Sequence, residues 1–392
     1  MRFRRILIVV FSAFLFNASG VAQLDSLPEK VLDNLDTLRF AKVSFGSFKI
    51  APYIAPVYTP ETNFMISGGG LLSFKVQKFD KKLNYSSIPF SFGYSLSGAI
   101  DVVVNNEIFW VEDRFRMIGE FQYKDRPDNY WGIGYEKGVS EDKSDSITGY
   151  SRQYLKMKER VMFNLGNNLF LGPVIDFNFT KASEMNNYMI QDPYVQEQGD
   201  LFMPMGFGVS FEYDSRDFPS NAYKGWYLGG ILAYYNDWFK SPAKYFKADI
   251  IYRQYITIKR KRRVLAWQVK NVITTGAFIP WTDMAMIGGK DDLRGYTLGR
   301  FRDKDLFDAI VEYRHMFKRK RINKKGNYDS KWGYVAWVGV GSVAPKVIEM
   351  KNWLPNGGAG LRFEIRDRMN IRVDAGFGKK EHGFYVTFKE AF

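Results

Sequence analysis

Side chains that could carry out covalent chemistry are sparse in this chain of 392 residues. It has two histidines, His315 and His382, and no cysteine. Neither histidine neighbours a G-x-S-x-G elbow, and no such elbow or H-E-x-x-H pair occurs. No catalytic set, metal site or cofactor motif can be assembled from these residues. The constellation that stands out serves ion pairing instead. Residues 287–304, IGGKDDLRGYTLGRFRDK, place charged side chains and four glycines between two segments of alternating character. A guanidinium such as Arg294 can take a carboxylate in a bidentate grip, the strongest common charge-assisted arrangement. Candidate acids lie downstream at Glu312, Glu364 and Asp374. Gly288 and Gly289 permit tight backbone approach, which a loop left in solvent would have little use for.

The elements that must position this insert are strands. From Asn63 onward, segments of about ten residues with period two are separated by turn residues. In MGFGVSFEYD, Met205, Phe207, Val209, Phe211 and Tyr213 share one face, and Gly206, Gly208, Ser210, Glu212 and Asp214 the other. Near the end, Ile371, Val373, Ala375 and Phe377 oppose Arg372 and Asp374. A soluble sandwich would alternate too. Against it stand the 17% aromatic content, with apolar surface on every strand, and an export signal. The expectation is all-β: a transmembrane antiparallel β-barrel of about 16 strands, with the long loop folded inward. Its strands run from 63–77 to 382–391, with 114–124 and 128–137 as separate strands. Phe48–Tyr58, carrying Pro52 and Pro56, leads into the barrel rather than forming one of its central strands.

Residues 1–22 read as a secretory signal: three arginines, an apolar run from Ile6 to Phe16, and small residues before Gln23. Its removal takes Arg2, Arg4 and Arg5 and no acid, so the formal charge falls from +14 to +11. Export argues against a nucleic-acid partner for this basic chain. Residues 23–47 form a short periplasmic leader, or a helix with Leu27, Val31, Leu32, Leu35 and Leu38 on one face. Residues 48–392 form the barrel. With both termini periplasmic, 138–149 and 181–204 fall outside. The basic runs 259–263 and 318–325 fall in the periplasm, as solvated turns or in contact with lipid phosphate or an acidic partner. His315 falls on the lipid face near a strand end, and His382 in the last outer turn.

Four stretches together resemble the BamA/TamA superfamily, outer-membrane insertases and translocators also called bacterial surface antigens. They are Leu293-Arg294-Gly295-Tyr296; Tyr213–Leu228, with Asp214, Arg216, Asp217, Lys224 and Gly225; Tyr58–Thr62 before a glycine-rich strand; and the last strand with Phe384, Phe388 and Phe392. The resemblance covers roughly 48–392. It implies that the sixth outer loop re-enters the barrel, that the Asp214–Gly225 stretch is a periplasmic turn, and that the terminal aromatics form an assembly signal. It also implies that Arg294 meets a glutamate on the next strand, which Glu312 matches, and an aspartate on the one after, where Gly339 stands instead. Arg294 should therefore keep Glu312 or recruit Asp374 or Glu364. The family's periplasmic POTRA repeats have no room in about 25 residues. The function this implies is a subunit of, or accessory to, outer-membrane protein insertion or export machinery, in contact with outer-membrane lipids and other subunits. A solute-conducting pore and a docking barrel at the cell surface remain the alternatives. No small-molecule substrate is indicated.

Overall fold

Alternation along the chain becomes a single cylindrical sheet. The computed structural model describes residues 46, 48–59, 63–77, 83–95, 98–140, 142, 147–219, 221–239, 243–318, 322–323, 326–327, 330–366 and 368–392. The expected export signal and leader lie outside them, Gly46 apart, as does part of the basic run at 318–325. The barrel strands are β1 (Lys49–Thr59), β2 (Asn63–Phe74), β3 (Ser86–Ser95), β4 (Ile100–Trp110), β5 (Phe115–Asn129), β6 (Gly149–Gly166), β7 (Leu169–Ser183) and β8 (Met205–Asp214). They continue with β9 (Gly225–Asn236), β10 (Lys244–Thr257), β11 (Arg263–Phe278), β12 (Asp305–Met316), β13 (Trp332–Ala344), β14 (Leu354–Arg366), β15 (Met369–Gly378) and β16 (Glu381–Phe388). Each pairs antiparallel with the next, from Lys49↔Ser73 in β1–β2 to Ile371↔Phe388 in β15–β16. β16 comes to lie beside β1.

The two faces separate as lipid and lumen demand. Phe207, Val209, Val311, Val338 and Leu361 are exposed on the outside, whereas Ser210, Glu212, Glu312, Arg362 and Asp374 are buried within. A water-soluble sandwich would bury the first set and wet the second. Short turns gather at one end of the barrel, as at 167–168 and 258–262. Long connections at 130–148, 184–204 and 279–304 gather at the other, which identifies the outer side.

The strand total matches the expectation, but two assignments behind it differ. Residues 128–137 are not a strand: β5 runs through Asn129, and a short helix, α1 (Tyr135–Ser140), follows. Pro127 falls within this longer strand. It lies beyond the last residue paired with β4, Asp125, so only β6 borders it and the missing N–H disrupts no central ladder. Tyr130 is buried in a cluster with Met189, Phe202 and Trp281 rather than in a sheet, and Trp131 is buried as well. In compensation, Lys49–Thr59 is the first barrel strand. Pro52 and Pro56 are four residues apart, so they remove donors from the same edge. β2 occupies the other edge in full register, which puts the missing donors on the edge facing β16. Exchanging one strand for the other reverses the direction of every strand between 63 and 124 relative to the expectation.

The face assignment has a measurable consequence. Val209→Lys, at the middle of β8's lipid face, should destabilise the barrel by about 2–4 kcal/mol if it lies at mid-membrane. A substitution at the rim position Leu169 should cost about 1 kcal/mol or less. Urea titration of the refolded protein in lipid vesicles, read by heat-modifiable gel mobility, distinguishes the two.

Candidate functional site: a loop anchored inside the barrel

The connection between β11 and β12 turns back into the lumen. Ala285–Ile287 pairs antiparallel with Phe301–Asp303, making a two-stranded stalk that carries the tip, residues 288–300. The tip reaches the wall formed by β12 to β16. Arg294 is fully buried. Its Nη1 donates to Asp374 Oδ2 at 2.6 Å, and its Nη2 donates to Glu312 Oε1. The face of Trp337 lies 3.7 Å from its Cζ, a favourable cation–π placement.

Gly339 is not a defect in this arrangement. A Cβ there would lie 3.1 Å from Leu293 Cδ2, and one at Gly341 would lie 2.4 Å from Leu293 Cδ1. The leucine next to Arg294 occupies the space that an inward acid on β13 would need. The second carboxylate comes from β15 instead, and Gly360 on β14 leaves room for it: a Cβ at 360 would overlap Asp374 Oδ1. Glu364 does not take part. It lies at the other end of β14, where it accepts from Arg262 Nη2 at 2.6 Å.

The charges extend beyond one pair. Glu312 also accepts from Arg314 at 2.9 Å. Asp374 accepts from Arg362 Nη1 at 2.5 Å, and Arg362 Nε donates to Glu390 at 2.8 Å. Arg372 pairs with Asp291 of the tip, and Lys270 holds Asp292 at 2.9 Å. Four guanidiniums (Arg294, Arg314, Arg362, Arg372) thus meet four carboxylates (Glu312, Asp374, Glu390, Asp291). Such balance lets these charges persist away from water.

Backbone contacts complete the anchor. Gly295 has φ +116°, and a Cβ there would lie 2.7 Å from the main chain at Gly376 and Phe377 of β15, so only glycine fits. Its N–H donates to Tyr385 Oη of β16 at 3.0 Å. Tyr296 Oη donates to the Pro355 carbonyl at 2.6 Å and accepts from Lys379 N–H at 2.8 Å. Asn356 Nδ2 donates to the Arg294 carbonyl. Glu381, at the start of β16, accepts from Thr297 Oγ1 at 3.1 Å and pairs with Arg300 at 2.9 Å. Gly288 (φ +107°) and Gly289 (φ +94°) turn the chain at the base of the tip.

Sequence reasoning missed Glu381, Tyr385, Asn356 and Trp337. Tyr385 carried one usable signal, as an aromatic on the inward parity of a strand whose other aromatics, Phe384 and Phe388, fall on the outward parity. The others are single polar or aromatic residues on inward positions, where such residues are ordinary.

Residues 215–219 and 221–224 form a structured turn at the short-turn end. Arg216 donates from Nε and Nη2 to both oxygens of Asp214 at 2.9 Å. Asp217 accepts from the N–H groups of Tyr223 (2.9 Å) and Lys224 (3.2 Å). Gly225 has φ +99°, and a Cβ there would lie 2.3 Å from the Ser215 carbonyl oxygen. Lys224 is exposed. Arg368, in the turn between β14 and β15, donates to Asp217 at 2.8 Å and lies 4.1 Å from the Tyr223 ring, so two turns far apart in strand order are bridged. The last residues depart from expectation. β16 ends at Phe388, and residues 389–392 turn inward from Lys389 (φ +66°). Phe392 is buried: its carbonyl accepts from Arg314 at 2.8 Å and its ring lies 4.8 Å from the Arg314 Cζ. Phe384 remains on the lipid face, 46% exposed.

An inward loop, anchored by its arginine to the wall next to the last strand and set in an outer-membrane barrel, can be compared with known folds. A family model described as the Omp85 superfamily domain matches residues 79–349, well over half of the chain. The chain belongs to the Omp85 superfamily. Its fold is similar to that of BamA from Haemophilus ducreyi lacking POTRA domains 1-3, with a TM-score of 0.55 and 12% identity over 88% of this chain and 70% of that one. It is also similar to CdiB from Escherichia coli, with a TM-score of 0.54 and 10% identity over 90% of this chain and 68% of that one. Among curated proteins, none matches the sequence. This Omp85 chain is an outer-membrane β-barrel of a Gram-negative-type bacterium.

Removing one partner of the buried pair tests the anchor. Arg294→Ala leaves Glu312 and Asp374 with one cation fewer and should cost about 3–5 kcal/mol of stability. Asp374→Asn should cost less than Arg294→Ala, because Glu312 keeps its grip on the guanidinium. Urea midpoints in lipid vesicles give both values. Limited proteolysis should nick Arg294→Ala near Asp291 while leaving the wild type intact.

Proposed function

We propose that this chain is the membrane-embedded barrel of, or an accessory to, an assembly that inserts proteins into the outer membrane or exports them across it, and that it is not an enzyme. The observation that carries this reading is where the loop is tied. Gly295, Thr297 and Arg300 all bond to β16, the strand that lies beside β1 at the seam between first and last strands. β1 itself brings two prolines to that edge. One side of the seam is braced from inside while the other lacks two backbone donors. A client strand needs such a site, where backbone donors and acceptors can be engaged without breaking a complete ladder. Members of the superfamily generally work in insertion or transport and with partner proteins. Other subunits would bring clients to this barrel.

A solute pore is the less favoured reading because both ends of the lumen are obstructed. On the outer side, Trp281 N–H donates to Gln198 Oε1 at 2.8 Å, Tyr188 Oη donates to the Trp131 carbonyl at 3.0 Å, and Arg300 Nε donates to the Gly138 carbonyl at 2.8 Å, so three loops interlock. On the periplasmic side, Tyr223 and Phe392 are buried in the same cluster that holds Leu293 and Tyr296. A lumen cavity of about 180 Å³ remains, lined by Lys156, Lys158, Lys247, Asp176, Asp249 and Asp283. That volume has room for a few water molecules only.

Affinity purification of the tagged protein in mild detergent should recover companion envelope proteins at fixed stoichiometry. Planar bilayers containing the protein alone should give no stable large conductance steps. A protein that purifies alone and conducts steadily would reverse the order of these two readings.

A further inference from the structure

On the lipid face at the periplasmic rim, two guanidiniums converge on one imidazole. His315 lies near the end of β12 and pairs across the sheet with Arg263 on one side and Tyr334 on the other. Arg263 Nε donates to His315 Nε2 at 3.3 Å, and Arg260 Nη2 lies 3.1 Å from the same nitrogen. Two donors aimed at one ring nitrogen require it to be the acceptor, so the imidazole is neutral and its proton sits on Nδ1. That nitrogen faces the hydroxyls of Tyr334 at 3.2 Å and Tyr313 at 3.4 Å.

Among the described residues no carboxylate pairs with Arg260 or Arg263. Arg260 is held by the Met316 carbonyl at 2.7 Å, and its Nε is buried with no hydrogen-bond partner. Arg262, between them, makes the contrast: it is buried and carries Glu364 at 2.6 Å. Two half-buried cations side by side repel each other, and a neutral imidazole offers neither of them charge. Tyr313, Tyr334 and Phe317 ring the site with amphipathic or apolar surface, Phe317 at 43% exposure. Aromatic side chains of this kind settle at headgroup depth.

We propose that Arg260 and Arg263, braced by His315, form a binding site for the phosphate of an anionic phospholipid in the periplasmic leaflet. A phosphodiester carries a negative charge and two oxygens, so it can accept charge-assisted bonds from both guanidiniums at once. The neighbouring exposed lysines, Lys259 and Lys261, add only diffuse attraction. The acyl chains would lie along the outer surface of β11 to β13, next to Leu265, Trp267 and Val311.

Native mass spectrometry of the full-length protein, released from detergent with phosphatidylglycerol or phosphatidylethanolamine added, tests the site. The wild type should retain one phosphatidylglycerol in preference to phosphatidylethanolamine. R260Q/R263Q should lower that retention roughly tenfold, in line with the loss of two charge-assisted bonds, whereas K259Q/K261Q should leave it unchanged. Heat-modifiable gel mobility checks that each variant is folded, and R263Q alone, at an outward position, serves if the double variant is not. Unchanged retention in R260Q/R263Q or R263Q overturns the proposal. So does an equal loss in the lysine variant, which would mean diffuse attraction. Displacement by inorganic phosphate at equal concentration would assign the site to a free anion and overturn it as a lipid site.

Discussion

The structure depends on a cation buried where a barrel has no water to offer it. The Arg294 guanidinium sits between Glu312 and Asp374 with the Trp337 ring on its face. Leaving it without either acid would be costly, so wherever the loop goes, its tip must stay within reach of both strands. That condition sets the depth of the loop. It explains why Gly295 and Gly376 must approach at main-chain distance and why Tyr296 can reach across to the Pro355 carbonyl. The neighbouring Arg314, Arg362 and Glu390 are fixed in turn, because each shares a carboxylate or a guanidinium with the next.

One end of this network is the seam. Tyr385 and Glu381 tie the loop to β16, which lies beside β1. The loop thus braces the barrel along β12 to β16, on one side of that line. At the periplasmic end, the Asp217–Arg368 bridge and the inward turn of residues 389–392 draw β8, β9, β14 and β15 together. Lumen closure and the bracing of β16 are thus properties of the same charge network.

Much of the fold was legible because lipid imposes a local rule. Each strand must present alternate apolar residues whatever its neighbours are, so MGFGVSFEYD could be read without knowing what pairs with it. The failures came where a residue's surroundings overrode that rule. Tyr130 is an aromatic like those of the strands but packs beneath loops with Met189, Phe202 and Trp281, and Pro52 and Pro56 look unfit for a strand but lie on the edge away from β2. Phe392 has the aromatic character of a lipid-facing residue, yet its carbonyl and ring serve Arg314 inside the lumen.

Residue types and spacing by themselves determined the barrel class, the approximate strand total, the inward parity of Glu312 and Asp374, and the existence of a charged, glycine-bearing loop. Only the tertiary structure decided which acids that loop's arginine reaches. Parity says which face a side chain occupies, and it is settled within one strand. Pairing between β12 and β15 depends on the curvature of the sheet and the depth of the tip. It depends as well on small residues at 339, 341 and 360, which clear space for Leu293 and Asp374. Glu364 has the same charge and stands on the strand between them. It lies at the wrong height and serves Arg262 instead.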